Sequence, residues 1–200
     1  MRLERILLVV YALVLIWSAI SPKDYFTWAL EVFPAIIALA VLWATRSRFE
    51  FTPLVYVLVT IHCCILMVGG HYTYAEVPLF DWLSEVMGWE RNNYDKVGHF
   101  AQGFVPAMIT REVLVRKKVV SGKAWLNVMI VALCLSISAM YEFLEWMVAE
   151  LTGESAEAFL GTQGYAWDTQ ADMLFATVGA IVAIAALGKF HDKQLKAVTL

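Results

Sequence analysis

Charge is scarce in this chain: Asp, Glu, Lys and Arg make up 16% of its 200 residues, while 60% are hydrophobic. A soluble domain carries about a quarter charged residues and about half apolar ones, so this balance excludes a water-soluble fold. Cysteine is nearly missing. Cys63, Cys64 and Cys134 all fall inside apolar runs, where a free thiol behaves as a small hydrophobe, and no disulfide framework or zinc-finger spacing is present. No Ser or Cys has a placed base beside it, which leaves out an activated-nucleophile enzyme of the usual kind. The compact His-Glu-x-x-His metal motif is also lacking, as are internal repeats, low-complexity segments and any soluble domain. The net charge of -3 says little by itself.

What is there reads as a single all-α, polytopic membrane domain over residues 1–200, with six transmembrane helices near 6–20, 25–45, 51–70, 97–115, 125–148 and 171–187. The first is the shortest. With Arg2 and Arg5 before it and small residues after it, it has the layout of a signal peptide, but a second span follows almost at once and we read it as retained. Between the third and fourth spans, Val77 to Trp89 combines Pro78 at a helix-start position with three aromatics, which fits either a short interfacial helix or an ordinary aromatic-rich loop.

Lys and Arg set the orientation. One set of ends holds Arg2, Arg5, Arg46, Arg48, Arg111, Arg116, Lys117, Lys118, Lys123, Lys189, Lys193 and Lys196, twelve of the 15 basic residues; the other holds Lys23, Arg91 and Lys96. Basic loops stay inside, so both termini are expected in the cytoplasm and the 71–96 and 149–168 loops outside, in a multi-pass membrane protein. The acidic run Gly153 to Glu157 then reads as solvated, and Gly161 to Trp167 as a lid or a turn.

On that topology the ionisable residues gather in the outer leaflet: Glu31, His71, Asp95, Lys96, His99, Glu142, Glu145, Asp168 and Asp172. The cytoplasmic halves are expected to hold no comparable group. Asp95, His99 and Gln102 lie at i, i+4 and i+7, Ser138, Glu142 and Glu145 repeat that spacing, and Asp168, Asp172 and Gly179 share a face of the last helix. Gly103, Pro106, Gly179 and Ala180 permit close backbone approach or a local break nearby, with ordinary packing as the plainer reading.

Six carboxylates face one Lys and at most two charged His, an imbalance that burial penalises by several kcal/mol per unpaired ion. Protonation, a bound divalent metal or a cationic substrate group would restore balance. For a metal, His71, His99 and Asp172 with further carboxylates offer a donor set suited to Zn, Mn or Fe. The structural alternative is an ion pair from Lys96 to Glu142 or Glu145, with Asp95 and Asp168 as helix N-caps. His62, mid-span, reads as a hydrogen-bonded packing residue.

Tyr94-Asp95-Lys96-Val97-Gly98-His99-Phe100, Tyr141-Glu142-Phe143-Leu144-Glu145-Trp146 and Trp167-Asp168-Thr169-Gln170-Ala171-Asp172 together resemble the YjdF family of bacterial inner-membrane proteins. More distantly the pattern is similar to VanZ-like proteins. Asp95, Lys96 and His99 match that group's Asp-Lys-x-x-His, Glu142 its Glu, and Asp172 and Gly179 its last row; Glu145 replaces a Gln and Ala176 an Asn. The resemblance implies at most an envelope role.

Two functions remain open. One is a membrane-embedded site that binds, acts on or moves an outer-leaflet amphiphile such as a phospholipid or lipid-linked envelope precursor. In it His99 would be general acid or base, Asp95 its orienting partner, and Lys96 an anchor for an anionic headgroup, with Glu142, Glu145, Asp168 and Asp172 holding a cation or polarising a nucleophile. The other is a proton- or cation-coupled transporter of a small solute, and a non-catalytic structural protein is kept as a third reading. Membrane lipids are the expected partners, and nucleic acid is not.

Overall fold

The computed structural model describes residues 2–152 and 163–198. Among these the chain is all helical: α1 (Arg2–Ser18), α2 (Tyr25–Thr45), α3 (Pro53–His71), α4 (Pro78–Met87), α5 (Tyr94–Arg116), α6 (Lys123–Thr152) and α7 (Asp168–Val198). α2, α3, α6 and α7 are long and apolar enough to cross a membrane. Large apolar side chains stand exposed along them, among them Phe33, Trp43, Phe143, Trp146 and Ile181. In water such a surface would drive aggregation, whereas in lipid it is the face that meets solvent.

The helix starts follow local chemistry. Asp24 caps α2, its carboxylate accepting from the Thr27 N–H at 2.6 Å, a bond that holds this half-buried carboxyl below its ordinary range. Pro53 and Pro78 open α3 and α4, where a missing N–H costs nothing. The 77–89 stretch is thus helical over Pro78–Met87; that helix carries no buried residue, and it ends at Gly88, whose φ of 66° closes it in the left-handed region that glycine adopts freely. α7 runs eleven residues beyond the expected end of its apolar span, because its polar last turns contain no helix breaker stronger than Gly188.

α5 is the least apolar of the long helices and the most enclosed, packed against α7, α6 and α3. A helix with this much polarity satisfies itself only in the protein interior. Its approach to α7 is set by Gly103 and Gly179: a Cβ on the first would strike the Ala176 carbonyl, and on the second the Phe100 carbonyl. At one end of the bundle the Lys23 N–H donates to the His71 carbonyl at 2.9 Å, so the α1–α2 turn and the end of α3 lie together, next to the starts of α5 and α7. At the opposite end Arg46 meets Glu4 at 2.6 Å and Leu54 N–H meets Gln194 Oε1 at 3.0 Å.

Candidate functional site

The start of α5 is fixed before any of its charged residues is placed. Asn92 accepts from the Tyr94 N–H at 3.0 Å and donates to the Val77 carbonyl and to Asp81. Gln163 exchanges two amide bonds with the Asn92 backbone, at 3.0 and 2.8 Å. Residues Gln163 to Trp167 form turns docked on α5, and the Tyr165 ring faces both Arg91 and Lys96; Gly161, Thr162 and the Gly153 to Glu157 run lie outside the described residues.

Glu31, Asp95, Lys96, His99, Glu142, Glu145, Asp168 and Asp172 are each at most 8% exposed, and together they divide into two halves. In the first, Lys96 Nζ donates to Asp172 at 2.6 Å, Asp168 at 2.7 Å and Asp95 at 3.2 Å. Arg91 reinforces it, at 2.8 Å from Asp168 and 3.7 Å from Asp95. Lys96 therefore pairs with the first turns of α5 and α7, away from Glu142 and Glu145. Its three protons are all directed at the Asp95, Asp168 and Asp172 carboxylates. Asp95 and Asp168 do not cap either: both stand inside the first helical turn, where an N-cap would have to precede it.

The second half surrounds His99. Its Nε2 lies 3.2 Å from Asp95 and 3.8 Å from Asp172, while Nδ1 meets Gln102 Oε1 at 3.2 Å and Glu142 at 3.8 Å. A cavity of about 170 Å³ opens beside this ring between α2, α3, α5 and α6, lined by Glu31, His62, Tyr74, Asp95, His99, Gln102, Tyr141 and Glu145. Tyr141 donates to Glu31 at 3.3 Å. Glu142 Oε1, Ser138 Oγ and His62 Nε2 are buried without a hydrogen-bond partner. His62 is therefore not the satisfied packing residue expected of it; its Nε2 is left over beside an acidic cavity. Pro34 and Pro106 line the same cavity, and each withholds the N–H that the carbonyl four residues earlier would receive.

Charge separates the halves. Asp95, Asp168 and Asp172 share two permanent cations, whereas Glu31, Glu142 and Glu145 have no Lys or Arg within ion-pair distance among the described residues. Donor atoms of Asp95, His99 and Asp172 all lie within 4.8 Å of one another, a set that suits a divalent metal, with Glu142 Oε1 next to it. His71 does not join them. Its Nδ1 bonds the Ser18 carbonyl at 3.0 Å and its ring packs at a tilt against Trp17, which makes it a tie between α1 and α3.

Sequence reasoning passed over Arg91, Tyr141 and Gln163. Arg91 was legible, lying four residues before Asp95. It also missed a second buried centre at the opposite end. Glu112, fully buried, accepts from Thr52 N–H at 3.0 Å, Thr52 Oγ1 at 2.7 Å, Arg116 at 2.8 Å and His191 at 2.9 Å. Arg111 bridges His191 to Asp192. The basic end of the bundle thus does hold a comparable group, one in which every acceptor is used, as a structural clamp requires.

A family model described as "Predicted membrane protein (DUF2238)" matches residues 3–193. The Escherichia coli (strain K12) "Inner membrane protein YjdF" is 48% identical over 184 residues, covering 92% of this chain and 88% of the relative. The likeness to VanZ-like proteins gains no support from these matches, and no solved structure matches the chain. With nearly its whole length covered by both, the chain belongs to the DUF2238 family of membrane proteins and is an integral protein of the inner membrane.

Proposed function

We propose that this is a six-span protein with both termini in the cytoplasm, whose cluster at the α5 and α7 N-termini forms an outer-leaflet site for an envelope amphiphile. The observation that carries this reading is the acidic cavity beside the Asp95 and His99 pair, with His62 Nε2 unbonded at its margin and Glu142 Oε1, 3.8 Å from His99, also without a hydrogen bond. A scaffold would have satisfied those atoms, as the Glu112 clamp does. His99 serves as general acid or base, oriented by Asp95 on one ring nitrogen and Gln102 on the other. Glu31, Glu142 and Glu145 receive a positive charge brought by the headgroup, either its own or that of a divalent ion bridging to a phosphate. Lys96 and Arg91 hold the acids of the first half in place. His62 and the two prolines, lying deeper along α3, α2 and α5, favour as second reading a path for protons or cations.

The topology is tested by single cysteines at Glu90 and Lys118, in a background with Cys63, Cys64 and Cys134 replaced by Ala. Glu90→Cys should react with a membrane-impermeant maleimide from outside and Lys118→Cys only after lysis; the reverse pattern would invert the orientation. The site is tested by Asp95→Asn with His99→Gln. This double variant should accumulate at wild-type level, because polar near-isosteres replace both partners, yet fail to restore the cellular phenotype of a strain lacking the chain. Full complementation would leave the cluster as a scaffold.

A further inference from the structure

We propose that the cleft between α6 and α7 at the basic end of the bundle is a binding site for an anionic phospholipid. The cleft encloses about 450 Å³, room for a phosphodiester headgroup and the first carbons of its chains. Its mouth carries Lys123, Lys189, Arg111 and Asp192. Arg111 is already engaged with His191 and Asp192, so it neutralises the one acid there. Lys123 and Lys189 are exposed and, among the described residues, have no hydrogen-bond or ion-pair partner. Lys123 is also the first residue of the 30-residue α6, whose open first-turn N–H groups add positive potential at the same place.

Below the mouth the walls turn apolar, through Leu126, Val131, Ile181 and Ile184. Ile181 is exposed on the surface that meets lipid, so the cleft opens sideways into hydrocarbon. Two unpaired cations above an apolar slot match a negatively charged headgroup with acyl chains. Free phosphate would leave the slot unused, and a choline headgroup would set its own ammonium beside the lysines. The site uses no residue of the His99 cavity and stands independently of the role proposed there.

The test uses the purified, delipidated full chain and the Lys123→Gln/Lys189→Gln variant, both titrated in detergent with phosphatidylglycerol, phosphatidylcholine and inorganic phosphate. Melting temperature and native mass spectrometry are the readouts. Wild type should be stabilised by phosphatidylglycerol and retain it as an adduct, whereas phosphatidylcholine and phosphate should do neither. The double variant should bind phosphatidylglycerol about tenfold or more weakly, in line with the loss of two interfacial lysines. Ile184→Trp, which fills the slot and keeps both lysines, should also abolish the adduct, and Asp95→Asn/His99→Gln should leave it intact. Equal shifts with the two lipids, a shift with phosphate alone, or an undiminished phosphatidylglycerol adduct in the lysine variant would overturn the proposal.

Discussion

Lys96→Met should destabilise the protein by about 3–5 kcal/mol, a large share of the stability of an ordinary domain. The ammonium it removes sits between Asp95, Asp168 and Asp172, all buried, and it ties the first turn of α5 to that of α7. Arg91 reaches Asp168 and more distantly Asp95, so Asp172 is the carboxylate left with no Lys or Arg, His99 at 3.8 Å being its remaining partner. Removing charge from both sides should hurt less than removing it from one. Lys96→Met combined with Asp172→Asn and Asp168→Asn should therefore regain part of the lost melting temperature, measured by fluorescence-detected size exclusion after heating. An unchanged melting temperature for the single variant would mean that the network contributes nothing to stability.

Glu112→Leu should cost a similar amount, at about 3 kcal/mol or more, for the opposite electrostatic reason. Here one fully buried acid collects donors from Thr52, Arg116 and His191, and its loss leaves all of them facing an apolar side chain. Glu112→Gln should lie between, since the amide keeps one acceptor and offers a donor where Arg116 or His191 also donates. Because the two centres occupy opposite ends of α5 and share no partner, the effects of Lys96→Met and Glu112→Gln should add. The same heat-and-separate measurement checks this, and strong non-additivity would show that the ends of the bundle communicate.

Four helices, α2, α3, α6 and α7, were legible in the sequence because apolar runs must cross about 30 Å of hydrocarbon, and that length constraint leaves little freedom. The Val77 to Trp89 stretch resolved into a helix because Pro78 and Gly88 set its ends. Spacing also put the right polar faces inward: Ser138, Glu142 and Glu145 are all buried, as are Asp168 and Asp172. Partner choice was beyond it. A 3.6-residue period says which side of a helix a charge is on, and nothing about which neighbouring helix supplies its counter-ion, so it leaves open whether Lys96 meets α6, as the structural alternative has it, or α7, where the structure places its partners. The Glu112 centre was hidden for a related reason. Glu112 lies among the basic residues of an expected loop end and His191 beyond the apolar run of the last span; only the helical continuation of α7 to Val198 brings them together. His62 shows the limit from the other side, since an unsatisfied ring nitrogen can be seen only once its surroundings are known.

The central claim is that the His99 cavity is built for something the chain does not itself supply. Its most direct measurement is the melting temperature of wild type and of Asp95→Asn/His99→Gln across a panel of divalent metals and envelope lipids, at fixed protein concentration. A ligand that binds only the folded state at a hundred times its Kd stabilises it by about 2.7 kcal/mol, a shift of several degrees. Wild type should show such a shift with at least one metal or lipid, and the double variant, equally well folded without ligand, should lose it. Equal shifts in both chains for every addition, or no shift in either, would contradict the account and leave the cluster as an ion-paired scaffold.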